Sequence, residues 1–95
     1  MYVVRETLTA KPGMASKMAG AFKTIASKVQ GRYTMRVMTD VIGPFNTVIF
    51  ETEVTSMDEF KKLEEELMGR EDVRDAMKGY LDMYLTGKRE VYRLI

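Results

Sequence analysis

The fold turns on Tyr2-Val3-Val4-Arg5-Glu6-Thr7-Leu8-Thr9 and on its exit through Lys11-Pro12-Gly13-Met14. The opening run is rich in β-branched residues and reads as a strand. Pro12 and Gly13 then punctuate a turn. Beyond them the hydrophobic period changes. Met14, Met18, Phe22, Ile25 and Val29 recur at spacings of four, four, three and four, with Ala21 beside them. That is a single apolar helix stripe, and Lys17, Lys23 and Lys28 lie off it. Gly31 is placed to stop the helix.

Working outward, Tyr33 to Asp40 reads as a second strand. Tyr33, Met35 and Val37 fall on one face, and Thr34, Arg36 and Met38 on the other. Gly43-Pro44 and Asn46 mark a hairpin-length connection. Thr47 to Val54 is a third strand, with Val48, Phe50 and Val54 on one face and Ile49, Glu51 and Glu53 on the other. Arg36 and Glu51 are therefore expected to pair across the hairpin, since a charge in a strand interior needs a partner. Ser56-Met57-Asp58-Glu59 has the form of a capping box, in which the Ser56 hydroxyl accepts from the Glu59 amide and the Glu59 carboxylate reaches back. The helix that it starts should bury Met57, Phe60, Leu63 and Leu67. A break falls near Gly69, after which Val73, Met77, Tyr80 or Leu81, and Tyr84 form a second helical stripe. Gly87 is expected to end that region, and Lys88 to Ile95 to form the last strand.

The order is β-α-β-β-α-β over a single domain spanning residues 1–95. This order implies an α+β, ferredoxin-like arrangement: a four-stranded antiparallel sheet, spatial order 4-1-3-2, with helices on one face. Helices can cover only that face, so the other must meet water or a second sheet. It carries Ile49 and Met38 among its charges, which in a chain this short argues for a homodimer through the sheet faces.

Composition narrows the chemistry. Hydrophobic residues make up 45% and charged residues 31%, ordinary for a globular domain. The net charge of +1 provides no field for nucleic acid or an anionic membrane, and neither is expected as a partner. Residues 1–48 carry +5 and residues 49–95 carry −4, mostly on the two helical regions, which reads as two solvated helix faces. Cysteine is absent, so disulfides, thiolate metal sites and a cysteine nucleophile are excluded. No secretory leader or apolar run of membrane-spanning length is evident, and a cytoplasmic location is the expectation. Histidine is absent too, which removes the imidazole ligand and the usual general base. The adjacent Glu64-Glu65-Glu66 point to different sides of a helix and read as a solvated face. No metal site and no cofactor are expected. Nine methionines suit adaptable packing, with Met14, Met18, Met35, Met57 and Met77 at core spacing.

Lys11-Pro12-Gly13-Met14 leading into Met18, Phe22 and Ile25 resembles the opening of the dimeric α+β-barrel superfamily. That superfamily holds the antibiotic-biosynthesis-monooxygenase-like and NIPSNAP-like proteins. Glu71-Asp72-Val73-Arg74-Asp75-Ala76-Met77, followed by Tyr84-Leu85-Thr86-Gly87-Lys88-Arg89-Glu90-Val91-Tyr92-Arg93, is similar to the short NIPSNAP-like pattern. The resemblance implies two sheets packed face to face across a two-fold axis, with ligands held between sheet and helices in each subunit. Members include cofactor-free oxygenases of polyketide quinols and haem-degrading proteins; the latter rely on a histidine and a tryptophan, both missing here. The expectation is a small dimeric protein that binds a small apolar or aromatic metabolite. The alternative is a cofactor-independent monooxygenase acting on a quinol-like or polyketide aromatic substrate. Whether the chain is an enzyme stays open at this point, and no catalytic residue is assigned. Candidate ligand-binding residues are Tyr33, Arg36, Tyr80, Tyr84 and Tyr92. Phenols can hydrogen-bond a flat ligand from the edge of an apolar site, and Arg36 could clamp an anion.

Overall fold

A computed structural model describes residues 1–95. Strand β1 (Tyr2–Ala10) is followed by helix α1 (Ala15–Ser27), strands β2 (Met35–Thr39) and β3 (Thr47–Val54), and helices α2 (Met57–Met68) and α3 (Glu71–Ala76). A 3-10 turn (Tyr80–Asp82) then leads into strand β4 (Tyr84–Arg93). The strands form one antiparallel sheet in the order β2-β3-β1-β4, as the sequence predicts. One core lies between the sheet and the helices. Met18, Phe22 and Ile25 of α1 and Leu63 and Leu67 of α2 pack there against Leu8, Val48 and Phe50. A smaller cluster of Val4, Val54 and Phe60 lies beside it.

The expected caps and breaks are realised with small shifts. Ser56 Oγ accepts from the Glu59 amide at 3.1 Å, but the Glu59 carboxylate reaches one residue further back, to the Thr55 amide at 2.8 Å. Gly69 closes α2, and Arg70 takes an extended backbone before α3 restarts. Met57 does not join the core. It is 44% exposed, because the apolar stripe runs out at the first helical turn, where neither cluster reaches it. At the β2–β3 hairpin, Asp40 Oδ1 accepts from the Thr47 amide at 2.9 Å and closes the loop. Val41, Ile42 and Phe45 project from that loop almost fully exposed.

The last third of the chain departs most from expectation. The second helical stripe does not continue to Tyr84. Helix α3 ends at Ala76, Gly79 turns the chain with φ +79°, and β4 begins at Tyr84, before the Lys88 start expected of it. Gly87 does not end a helix. It lies inside β4 opposite Leu8, where an added Cβ would stand 3.2 Å from Leu8 Cδ2. The sequence shows a glycine that could stop a helix; the sheet uses its missing side chain to seat a buried leucine.

Candidate functional site

Alternation along the strands sorts every sheet residue onto one of two faces. The helix-facing side of β1 carries Tyr2, Val4, Glu6, Leu8 and Ala10, so Glu6 interrupts an otherwise apolar row. That interruption marks a cavity of about 390 Å³ between the sheet and the helices. Phe22 and Ile25 of α1, Phe50 of β3 and Leu63 of α2 wall it. Phe22 and Phe50 stack with ring centroids 4.9 Å apart and planes 2° from parallel, so a pair of stacked rings borders the cavity. Met35, Met68 and Met77 line it as well, and they can adjust to a guest's shape. Buried Thr52 is the small polar group on the β3 side.

A charged rim borders the solvent side. Arg89, opposite Glu6 in the β1–β4 register, donates to Glu6 Oε1 from Nε at 3.1 Å and from Nη2 at 2.7 Å. Its Nη2 also donates to Glu64 Oε2 at 2.8 Å. The guanidinium lies over the Phe60 ring, 5.1 Å from the centroid. Glu65 completes the lining.

The candidate residues named from sequence do not gather in one place. Tyr80 lines the cavity. Tyr84 stacks against Tyr80 at a centroid distance of 6.0 Å, so the two share a face as expected, although Tyr84 belongs to β4 and not to a helical turn. Tyr33 lines a separate hollow of about 410 Å³, more polar and more open, together with Arg32, Glu53 and Glu59. Arg36 and Tyr92 lie on the opposite face of the sheet, away from the cavity's helix side.

That opposite face has an organisation of its own. Arg36, Glu51, Arg5 and Glu90 stand side by side in register across all four strands. Arg5 Nε donates to Glu51 Oε2 at 2.6 Å, and Arg36 donates to Glu51 Oε1 from Nη2 at 2.9 Å and from Nε at 3.1 Å. Arg36 Nη1 also donates to Glu53. The expected Arg36–Glu51 pair is thus present, with Arg5 as a third member. Glu51 is only 5% exposed. Burial pushes its carboxyl upward, but the hydrogen bonds from Arg36 and Arg5 outweigh that and hold it below the usual carboxylate range. Tyr92 donates to Glu90 Oε2 at 2.8 Å, a bond that raises the phenol and lowers the carboxyl. With their donors committed to carboxylates, Arg36 and Tyr92 are occupied by the protein itself.

Sequence reasoning missed Phe22, Phe50, Arg89 and Glu64 as site residues. The readable signal is Glu6, a carboxylate in the apolar phase of β1. No cluster of three or more His, Cys, Asp or Glu side chains is arranged to hold a metal ion, and no helix is long and apolar enough to cross a membrane.

No protein-family model matches the sequence, and a search of the curated proteins finds no match. Solved structures do match. A NIPSNAP domain protein from Burkholderia xenovorans superposes with a TM-score of 0.80 at 13% identity, over 100% of this chain and 95% of its own. A NIPSNAP family protein from Agrobacterium tumefaciens gives 0.80 at 12% identity, over 97% and 90%. An antibiotic-biosynthesis-monooxygenase-like protein from Deinococcus radiodurans gives 0.70 at 14% identity, over 99% and 92%. The chain has the fold of these proteins, and the resemblance drawn from its sequence holds at that level.

Proposed function

We propose that the protein is a small homodimeric α+β-barrel domain, cytoplasmic, that binds a small apolar or aromatic metabolite between its sheet and its helices. The observation that supports this is the cavity of about 390 Å³ with its stacked Phe22–Phe50 wall and few polar groups. Ligand sites of small molecules commonly have this size and this apolar bias. A neutral naphthalene-sized probe tests it. Of the nine methionine methyls, those of Met35, Met68 and Met77 should shift on titration. Unmoved cavity methyls at saturating probe would refute the reading.

The dimer rests on the helix-free face of the sheet. Ile49, Met38 and Val3 lie there among Arg5, Arg36, Glu53 and Glu90. A two-fold partner presents the same mixture, so each subunit's charges can meet the other's opposite charges while Ile49 and Met38 leave water. The expected interface buries on the order of 2,000 Å². Light scattering after gel filtration at micromolar concentration should give about twice the 10.9 kDa chain mass. A clean monomer removes the barrel.

A second reading, cofactor-independent oxygenation of a quinol-like aromatic, draws on Tyr80, whose side chain lines the cavity. It requires oxygen uptake with a quinol panel that falls in Tyr80→Phe. No uptake with any quinol leaves the binding domain as the function.

A further inference from the structure

Two features of the cavity bear on which end of a ligand it can hold. The rim carries three carboxylates, Glu6, Glu64 and Glu65, against one cation, Arg89, and no lysine lines the cavity. Arg89 is engaged by Glu6 and Glu64 through three hydrogen bonds, which offset its charge. Glu65 makes no side-chain hydrogen bond to the protein, and Glu64 uses only Oε2, so acceptor capacity is left facing the opening. The second feature lies inside. Thr52 is 3% exposed and lines the cavity, yet its hydroxyl makes no hydrogen bond with the protein. No fully enclosed side-chain polar atom lacks a partner, so this hydroxyl opens onto the cavity and is free to meet a guest.

We propose that the cavity selects by charge, taking a flat apolar molecule that ends in an amine and rejecting one that ends in a carboxylate or phosphate. The inference rests on the binding function proposed above and adds the ligand's class to it. The apolar body lies against the Phe22–Phe50 wall within reach of the Thr52 hydroxyl. The ammonium reaches the rim and donates to Glu64 and Glu65. An anionic end placed there meets an excess of two negative charges and a guanidinium already held by carboxylates. An uncharged alcohol falls between, since it can donate to the rim without the charge.

Three probes of one size test this: naphthylmethylamine, naphthylmethanol and naphthoic acid. Each is titrated into the full chain while the methyl resonances of Met35, Met68 and Met77 are followed. Affinity should fall in the order amine, alcohol, acid, with on the order of tenfold between amine and acid. The ratio should narrow at high salt and in Glu65→Gln, whose side chain is exposed and unbonded, so the fold is undisturbed. An acid that binds as tightly as the amine, at the same methyls, overturns the charge selection and leaves the binding function standing. So does an unchanged ratio in Glu65→Gln. If none of the three shifts these methyls, the binding function fails and the selectivity goes with it.

Discussion

Replacing Glu51 by glutamine should cost the protein about a fifth of its stability. The carboxylate receives three guanidinium hydrogen bonds, at 2.6, 2.9 and 3.1 Å, while its residue is 5% exposed. Glutamine keeps the shape but turns one acceptor into a donor that faces a guanidinium. A hydrogen bond to a charged group contributes roughly 1.5–3 kcal/mol when partners are buried. Here the Arg5 and Arg36 side chains are 40% and 41% exposed and can rehydrate, so the sum must be discounted. A loss of about 2 kcal/mol remains, against the roughly 5–15 kcal/mol available to a domain. For a chain of this length that lowers Tm by on the order of 10 °C. The effect should also depend on pH with a fixed sign. The folded carboxyl titrates below its unfolded value, so its stabilisation is complete above about pH 4.3 and is lost as pH falls through the folded pKa. Thermal melts of the two proteins should therefore lie well apart at about pH 7 and draw together as the pH falls through the folded pKa. Coincident melts at the neutral end, or a gap that persists undiminished at the acid end, would refute the claim that the arginines hold this carboxylate.

Local geometry gives three more outcomes. Gly20→Ala should stabilise the protein by about 1 kcal/mol, because the glycine is exposed inside α1 and an added Cβ meets nothing within 4 Å; a higher Tm is the check. Gly87→Ala should have the opposite sign, about 1–2 kcal/mol destabilising, since its Cβ would press on Leu8 Cδ2; denaturant unfolding should show a lower midpoint at unchanged slope. Ser56→Ala should cost about 1 kcal/mol by removing the cap on the Glu59 amide, with a lower thermal midpoint and unchanged strand signals.

Legibility differs between the fold and the site for a physical reason. The period switches that define β1, α1, β2 and β3 are local, and the Arg36–Glu51 pair emerges once two strands form a hairpin. The start of β4 is obscured because Gly87 has the form of a helix stop, and its use against Leu8 depends on a strand at the other end of the chain. The cavity is harder still. Phe22, Phe50, Leu63 and Arg89 come from four elements, and each alone looks like an ordinary core or surface residue. Of the tyrosines, only Tyr80 reaches it. Tyr33, Arg36 and Tyr92 are polar groups whose faces can be assigned from alternation, but alternation does not say which face bears a void.

The row Arg36, Glu51, Arg5, Glu90 has a role in choosing the sheet's alignment. A one-residue slip between strands turns the apolar side outward and is forbidden by the hydrophobic pattern alone. A two-residue slip keeps every side chain on its proper face, so hydrophobicity barely opposes it. The charges oppose it in one direction. Slipping β3 so that Glu51 stands opposite Val3 and Thr34 leaves Arg5 and Arg36 facing Ile49, with no carboxylate between them; slipping it the other way merely exchanges Glu51 for Glu53 between the two arginines. The native alignment serves both glutamates, since Arg5 and Arg36 hold Glu51 while Arg36 also holds Glu53. A chain searching for its pairing is therefore steered away from the slip that would strip both arginines of their partner.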